Sequence, residues 1–325
     1  MSGKSKLLFL FLIEFQVFLP ISCVKSQILK ETIGTYNNTG GIVPFAVGGK
    51  PAEKGEFPFM AALGWKDDAK NITAFHAGGM VISNRMVLTS AHVVYRNGKL
   101  PDVIYIGGNP ISEINSFWIP NIQFQVVNVT IFPNYDPTQG YDDIAILQLN
   151  APSKLKKVCL WPSPKLPNTD ATAIGYGLTD FAGSPSNELI KVNLTIFPID
   201  YCYGFFKRER RFGMGLTSSQ ICAGDDAQDT CQGDSGGPLI TRHNDIMYAV
   251  GITQSGQACA GFPPAIYTKI YPYIEWIKSV LKEQGESIET CGKDVPKKSF
   301  EKKRSRTGRV TSNFSRIKLQ QIFYF

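Results

Sequence analysis

The segment from Cys231 to Pro238 reads Cys-Gln-Gly-Asp-Ser-Gly-Gly-Pro. Glycines flanking the Asp234-Ser235 pair let the chain turn sharply and bring a substrate carbonyl close to backbone N–H groups. A serine hydroxyl is a poor nucleophile until a base removes its proton. This reading of Ser235 therefore demands a histidine, and the chain has three. His92 closes the apolar run Val87-Leu88-Thr89-Ser90-Ala91 at a small-residue corner that would hold an imidazole facing a cleft. His76 and His243 have no such setting and read as surface or strand-end residues. The imidazole in turn needs an acid that fixes its tautomer and stabilises the imidazolium. Asp143 opens the apolar run Ile144 to Leu149, at the edge of a core, and Asp142 beside it is the alternative.

Such side chains need a rigid frame. From Phe57 to Tyr267, apolar stretches at Met80–Leu88, Val103–Ile106, Phe124–Phe132 and Ile144–Leu149 recur between Gly, Pro and Asn clusters. Short strands at this spacing predict a sandwich or barrel rather than alternating strand and helix. One helix is predicted late: Pro272 suits its first turn, and Ile274, Ile277, Val280 and Leu281 share a face. A chain that is 43% hydrophobic with 30 Gly and 20 Pro is globular and turn-rich, which excludes collagen, coiled coil and disorder throughout.

The formal charge of +7 is unevenly spread: ten basic and two acidic residues lie between Lys293 and Phe325, leaving residues 1–292 at −1. A nucleic-acid-binding domain is not expected. Leu7 to Leu19, interrupted by Glu14, is too short to cross a bilayer. Preceded by Lys4 and Lys6 and followed by Ser22 and Ser26, it reads as a cleaved secretory signal over 1–22. Sequons beginning at Asn37, Asn71, Asn128, Asn193 and Asn313 fit a glycoprotein. Residues 23–45 read as a propeptide or linker, 46–284 as the folded domain and 285–325 as a disordered basic extension. The scattered histidines and the lack of calcium-loop spacing predict no metal and no cofactor.

Together the blocks around His92, Asp143 and Ser235, with Gly48-Gly49, Gly55-Glu56-Phe57-Pro58 and Gly175-Tyr176-Gly177, resemble the chymotrypsin-like, trypsin-fold serine proteases. The likeness runs from about Ala46 to Leu281 and is strongest to arthropod clip-type members, without their cysteine-rich clip domain. It implies an all-β fold of two six-stranded antiparallel barrels with a C-terminal helix behind. It implies Ser235 as nucleophile, His92 as base, Asp143 as orienter, and the Gly233 and Ser235 amides as oxyanion hole. It also implies disulfides Cys202–Cys222 and Cys231–Cys259, with Cys159 joined to Cys291 or to Cys23, and Cys291 preferred. Two bridges common in the family are lost at both ends, at Ala77 with Val93 and at Ala171 with Thr241.

The resemblance places Asp229 at the base of a pocket for substrate Lys or Arg, with Gly256 at its mouth and Ala265 narrowing its wall where glycine is usual. Gln254 and Ser255 stand where the family carries serine and an aromatic residue, and Gln254 must find new partners beside Asp143. Activation would free Ala46 to pair with Asp234, yet Phe45 precedes the cut where Arg or Lys is usual. The expected function is a monomeric secreted endopeptidase with protein or peptide substrates and a serpin-type inhibitor as partners. A catalytically weak homologue acting as a regulatory binding protein is the alternative, and a polyanion site at Lys207 to Arg211 is a third reading, less favoured than a solvated charge run.

Overall fold

The computed structural model describes residues 49–67, 72–94, 99–108, 110–111, 122–178, 185–225, 230, 233–255, 263–288 and 291. The expected signal and propeptide, and the basic extension apart from residues 285–288 and 291, lie outside these residues. After the short strand β1 (Lys50–Pro51), seven strands make one sheet: β2 (Met60–Asp67), β3 (Ile72–Val81), β4 (Met86–Thr89), β5 (Val103–Ile106), β6 (Gln123–Phe124), β7 (Val126–Ile131) and β8 (Ala145–Leu149). Their order is β6-β5-β2-β3-β4-β8-β7, with every pairing antiparallel. The helical turn α1 (Ala91–Val94) follows β4.

The second sheet takes β9 (Cys159–Leu160), β10 (Asp170–Gly175), β11 (Ile190–Phe197), β12 (Gln220–Gly224), β13 (Pro238–His243), β14 (Ile246–Ser255) and β15 (Ala265–Lys269), together with β1. Helix α2 (Ile199–Phe206) joins β11 to β12, and α3 (Ile274–Glu283) ends the fold.

This is the all-β, two-barrel architecture with a C-terminal helix that the sequence implied. The strand counts differ from six for local reasons. Gln125 gives its N–H to the side chain of Asn150, splitting one stretch into β6 and β7. In the second sheet β1 is added on β11, and β9 pairs with β14 in parallel, the one departure from antiparallel pairing among the named strands.

Strand β11 shows why the pattern folds as it does. In Ile190-Lys191-Val192-Asn193-Leu194-Thr195 the apolar residues are buried and the polar ones reach the surface, with the period of two of a half-buried strand. By contrast β8 is buried almost throughout, which a continuous apolar run allows. Helix α3 buries Ile274, Ile277, Val280 and Leu281, the four residues of the predicted face. Each such side chain contributes roughly 1.5–3 kcal/mol on burial. They join the core of the first sheet, where Phe132 meets Tyr273 and Trp276 edge to face at 5.0 and 5.3 Å.

Candidate active site

The register of β4 on β8 brings the first two candidates together. These strands are antiparallel with Thr89 opposite Ala145, so the residues just after β4 and just before β8 emerge at one end of the pair. His92 therefore meets Asp143. The His92 backbone N–H donates to Asp143 Oδ1 at 2.8 Å, and His92 Nδ1 lies 2.7 Å from Oδ2. With Nδ1–H directed at the carboxylate, Nε2 is left as the acceptor, the tautomer a general base requires. The Asp143 carboxylate is buried while the His92 side chain is 35% exposed, so the pair opens to solvent on the imidazole side.

Asp142 is excluded as the histidine's partner. Its φ of 54° turns it away, and its Oδ1 accepts from Tyr273 Oη at 2.7 Å. Burial, then the hydrogen bond to Asp142, pushes the Tyr273 phenol pKa up and keeps it a donor. The backbone carbonyl of Asp143 accepts from Thr268 Oγ1 at 3.1 Å.

Ser235 lies on a tightly clamped turn. Gly78 of β3 donates its N–H to the Ser235 carbonyl, Gly236 N–H reaches the Thr253 carbonyl, and Thr253 N–H returns to Gly237, each at 2.8 Å. Thr89 Oγ1 donates to the Gly78 carbonyl at 2.8 Å. Gly236 holds φ +82°, and a Cβ there would run into Thr89 Oγ1 and the Gly78 carbonyl. The turn bearing Ser235 thus packs on the peptide that leads, three residues later, to His92.

The sequence motif Gly175-Tyr176-Gly177 acquires a physical reason here. Gly177 N–H donates to Asp234 Oδ1 at 2.9 Å. A Cβ at Gly177 would come within 2.6 Å of that carboxylate, and one at Gly175 would strike it too. Gly233, at φ +99°, leaves room only for hydrogen against the Gly177 backbone, where a Cβ would sit 2.9 Å from Cα. Two glycine-bearing loops are therefore shaped around one buried carboxylate adjacent to Ser235.

Around the implied pocket, Ala265 is buried on β15 opposite Ala223, and Thr230 Oγ1 lies 3.3 Å from Tyr267 Oη. Asp229, Gly256, Cys231, Cys259 and Ala46 lie outside the described residues. Gln254 finds a partner other than Asp143: its Nε2 donates to the Gly140 carbonyl at 3.0 Å, beside Gln220 Nε2 at 2.9 Å. Gln254 Oε1 is buried without a hydrogen-bond partner among the described residues, as are Thr253 Oγ1 and Ser255 Oγ. An unpaired buried acceptor costs about 1–3 kcal/mol.

Cys202–Cys222 and Cys159–Cys291 are bonded, with Cα separations of 6.3 and 5.8 Å. Cys159 is thereby joined to Cys291 and not to Cys23. At the lost bridges, Ala77 and Val93 are buried in the hydrophobic core, and Thr241 Oγ1 bonds Asn168 Oδ1 at 2.7 Å.

Gly78, Thr89, Gly140 and Thr268 support the site without having been singled out in the sequence. Thr89 lies in the same block as His92 and was within reach of the motif, but nothing local marks Gly140 or Thr268. Among the described residues no cluster of His, Cys, Asp or Glu could hold a metal, and no helix is long and apolar enough to cross a membrane.

Comparison with known proteins bears on the same residues. A family model described as Trypsin matches residues 46–277. Serine protease snk of Drosophila melanogaster is 35% identical over 255 residues, 74% of this chain and 58% of its own length. Serine protease Hayan of the same species is 32% identical over 250 residues, 72% of this chain and 38% of its own length. The CLIP domain-containing serine protease B4 of Anopheles gambiae is 30% identical over 253 residues, 71% of this chain and 69% of its own. The chain thus spans well under two thirds of the length of the first two relatives.

Proposed function

Since the chain belongs to the trypsin family, we propose that it is a secreted serine endopeptidase that works through an acyl-enzyme. The observation that carries this reading is the two-point contact of His92 with the buried Asp143 carboxylate. In the proposed cycle Ser235 Oγ attacks the scissile carbonyl while His92 Nε2 takes its proton, and Asp143 stabilises the resulting imidazolium. The Gly233 and Ser235 amides receive the negative charge that develops on oxygen. His92 then returns the proton to the leaving amine, and water hydrolyses the ester by the same route in reverse.

Asp229 supports a preference for Lys or Arg through a charge-assisted pair. The extra methyl of Ala265 works against the longer arginine by roughly 1–3 kcal/mol, in the range of single-methylene discrimination. The protein is read as a monomer made as a zymogen, with residues 1–22 as signal, 23–45 as propeptide, 46–284 as peptidase domain and 285–325 as a basic extension. Its partners are protein or peptide substrates and a serpin-type inhibitor. Phe45 before the cut calls for an activator that prefers aromatic residues, or leaves a zymogen that is never processed.

A fluorophosphonate probe tests the chemistry. Labelling of Ser235 after cleavage at Ala46, abolished by His92→Ala, is the expected result. Absence of label on material with a verified Ala46 terminus overturns it and leaves the regulatory binding protein. N-terminal sequencing of the secreted chain tests the processing, and an intact propeptide on an active enzyme would remove the cut at Ala46.

A further inference from the structure

The segment between α2 and β12 carries a surface that the proteolytic reading does not use. Helix α2 buries Cys202 and Phe206, but Tyr203 is 46% exposed and Met214, beyond the following turn, is 74% exposed. The two are neighbours: the Tyr203 ring packs over Gly215, where a Cβ would lie 2.9 Å from it. Between them runs Lys207-Arg208-Glu209-Arg210-Arg211. Arg211 is engaged, 2.6 Å from Glu209 and stacked 5.0 Å from the Phe212 ring centroid. Lys207, Arg208 and Arg210 are exposed and form no ion pair among the described residues.

The surface is also held rigidly. Tyr141 Oη donates to the Gly215 carbonyl at 2.8 Å and accepts from Met214 N–H at 3.0 Å, while Gly140 N–H donates to the Arg211 carbonyl at 2.8 Å. A preformed patch loses little conformational entropy when it binds. Tyr, Met and Arg are the residue types enriched at protein interfaces.

We infer that Tyr203, Met214 and the Lys207, Arg208 and Arg210 side chains form a docking site for an acidic polypeptide segment that carries apolar side chains. Three uncompensated cations set the sign of the partner. The two exposed apolar side chains set its class, because a sulfated polysaccharide would leave them wet. The inference does not rest on the Ser235 chemistry, although Gly140 and Tyr141, which brace the patch, lead to Asp143.

The test uses the full secreted chain with Ser235→Ala, so that no cleavage intervenes, and a fluorescein-labelled peptide of Glu, Asp and Leu read by anisotropy. Salt-dependent binding is expected. Reversal of all three charges (Lys207→Glu, Arg208→Glu, Arg210→Glu) weakens it more than about tenfold. Tyr203→Ser with Met214→Ser weakens it by about tenfold with the salt slope unchanged. The basic segment beyond Cys291 is common to all variants, so binding that survives charge reversal belongs to that segment and overturns the proposal. So does the absence of binding. Binding indifferent to Tyr203 and Met214, with displacement by a heparin-type oligosaccharide, replaces it with a polyanion patch. Met214→Ser alone, at a solvent-facing position, keeps the test valid if the Tyr203 variant fails to fold.

Discussion

The side-chain amide of Gln254 donates to the carbonyl of Gly140 at 3.0 Å, three residues before Asp143. The same carbonyl accepts from Gln220 at 2.9 Å, so both lone pairs are used and the peptide before the candidate acid is pinned from two strands. Gln254 Oε1 has no hydrogen-bond partner among the described residues. Gln254→Met removes a hydrogen bond worth about 1 kcal/mol together with an orphan acceptor costing about 1–3 kcal/mol. The melting temperature is therefore expected to hold or rise. Gln254→Glu buries a carboxylate in the same place and is expected to lose about 3–5 kcal/mol, as uncompensated buried charges do. Thermal unfolding of the two variants separates these outcomes.

The loops around Asp234 give a second prediction. Because a Cβ at Gly175 or Gly177 meets the Asp234 carboxylate, Gly177→Ala must displace either the carboxylate or the loop. Overpacking of this kind costs about 1–3 kcal/mol. Asp234 leads directly into Ser235, so the fluorophosphonate rate is expected to fall by about 10²-fold, as when one oxyanion donor is lost. A variant that is destabilised yet labels at the parent rate would separate this loop from the catalytic turn.

These two sites show where the sequence was legible. The strand pattern and the face of α3 follow from apolar periodicity, which is local, and residue type alone says that His92 needs an acid. The choice between Asp142 and Asp143 is not local. It depends on the positive φ of Asp142 and on Tyr273, 131 residues away. Gly140 is a support only because its carbonyl meets amides 80 and 114 residues later, and no spacing rule marks such a contact. The partner of Gln254 was open for the same reason: a long amide in a buried place must bond, but the chain order does not say to what.

The pair Glu56 and Lys191 predicts a pH effect. Burial opposes ionisation of Glu56, but hydrogen bonds from Lys191 Nζ and from the Glu53 N–H outweigh it and hold its pKa below the usual value. A carboxylate whose folded pKa is depressed contributes stability above its unfolded pKa of about 4.3, and that contribution is lost as pH falls through the lower folded value. Glu56→Gln is expected to cost up to about 1 kcal/mol at pH 7, the scale of a partly exposed pair. At an acid pH below the folded value the cost should be smaller than at pH 7. Urea unfolding at the two pH values measures the difference, and an equal cost at both would assign the effect to packing.

The two disulfides among the described residues close loops of unequal length, 132 residues for Cys159–Cys291 and 20 for Cys202–Cys222. By chain entropy the first restrains the unfolded chain by about 5 kcal/mol and the second by about 3 kcal/mol. Replacing each pair with alanine and measuring unfolding in denaturant is expected to preserve that order. Cleavage between residues 159 and 291 should leave the segment after Cys291 attached until reductant is added, which non-reducing electrophoresis followed by peptide mapping detects.

Among the described residues strand β7 stands at one end of the pairing order of its sheet. The register of β7 on β8 shifts between Val126 and Asn128, leaving Val127 57% exposed at a bulge. An end strand with an exposed apolar residue invites pairing with another chain. Asn128, also exposed, begins the sequon Asn128-Val129-Thr130, and a glycan there would shield both Val127 and this side of β7. On the reading that the protein is secreted, Asn128 is expected to be glycosylated. Asn128→Gln should then remove one amidase-sensitive step of electrophoretic mass and promote aggregation on heating. The double variant Asn128→Gln with Val127→Lys should aggregate less, because a charge at the bulge replaces the shield. If the parent and Asn128→Gln have equal mass from secretory cells, the edge is protected by its bulge alone.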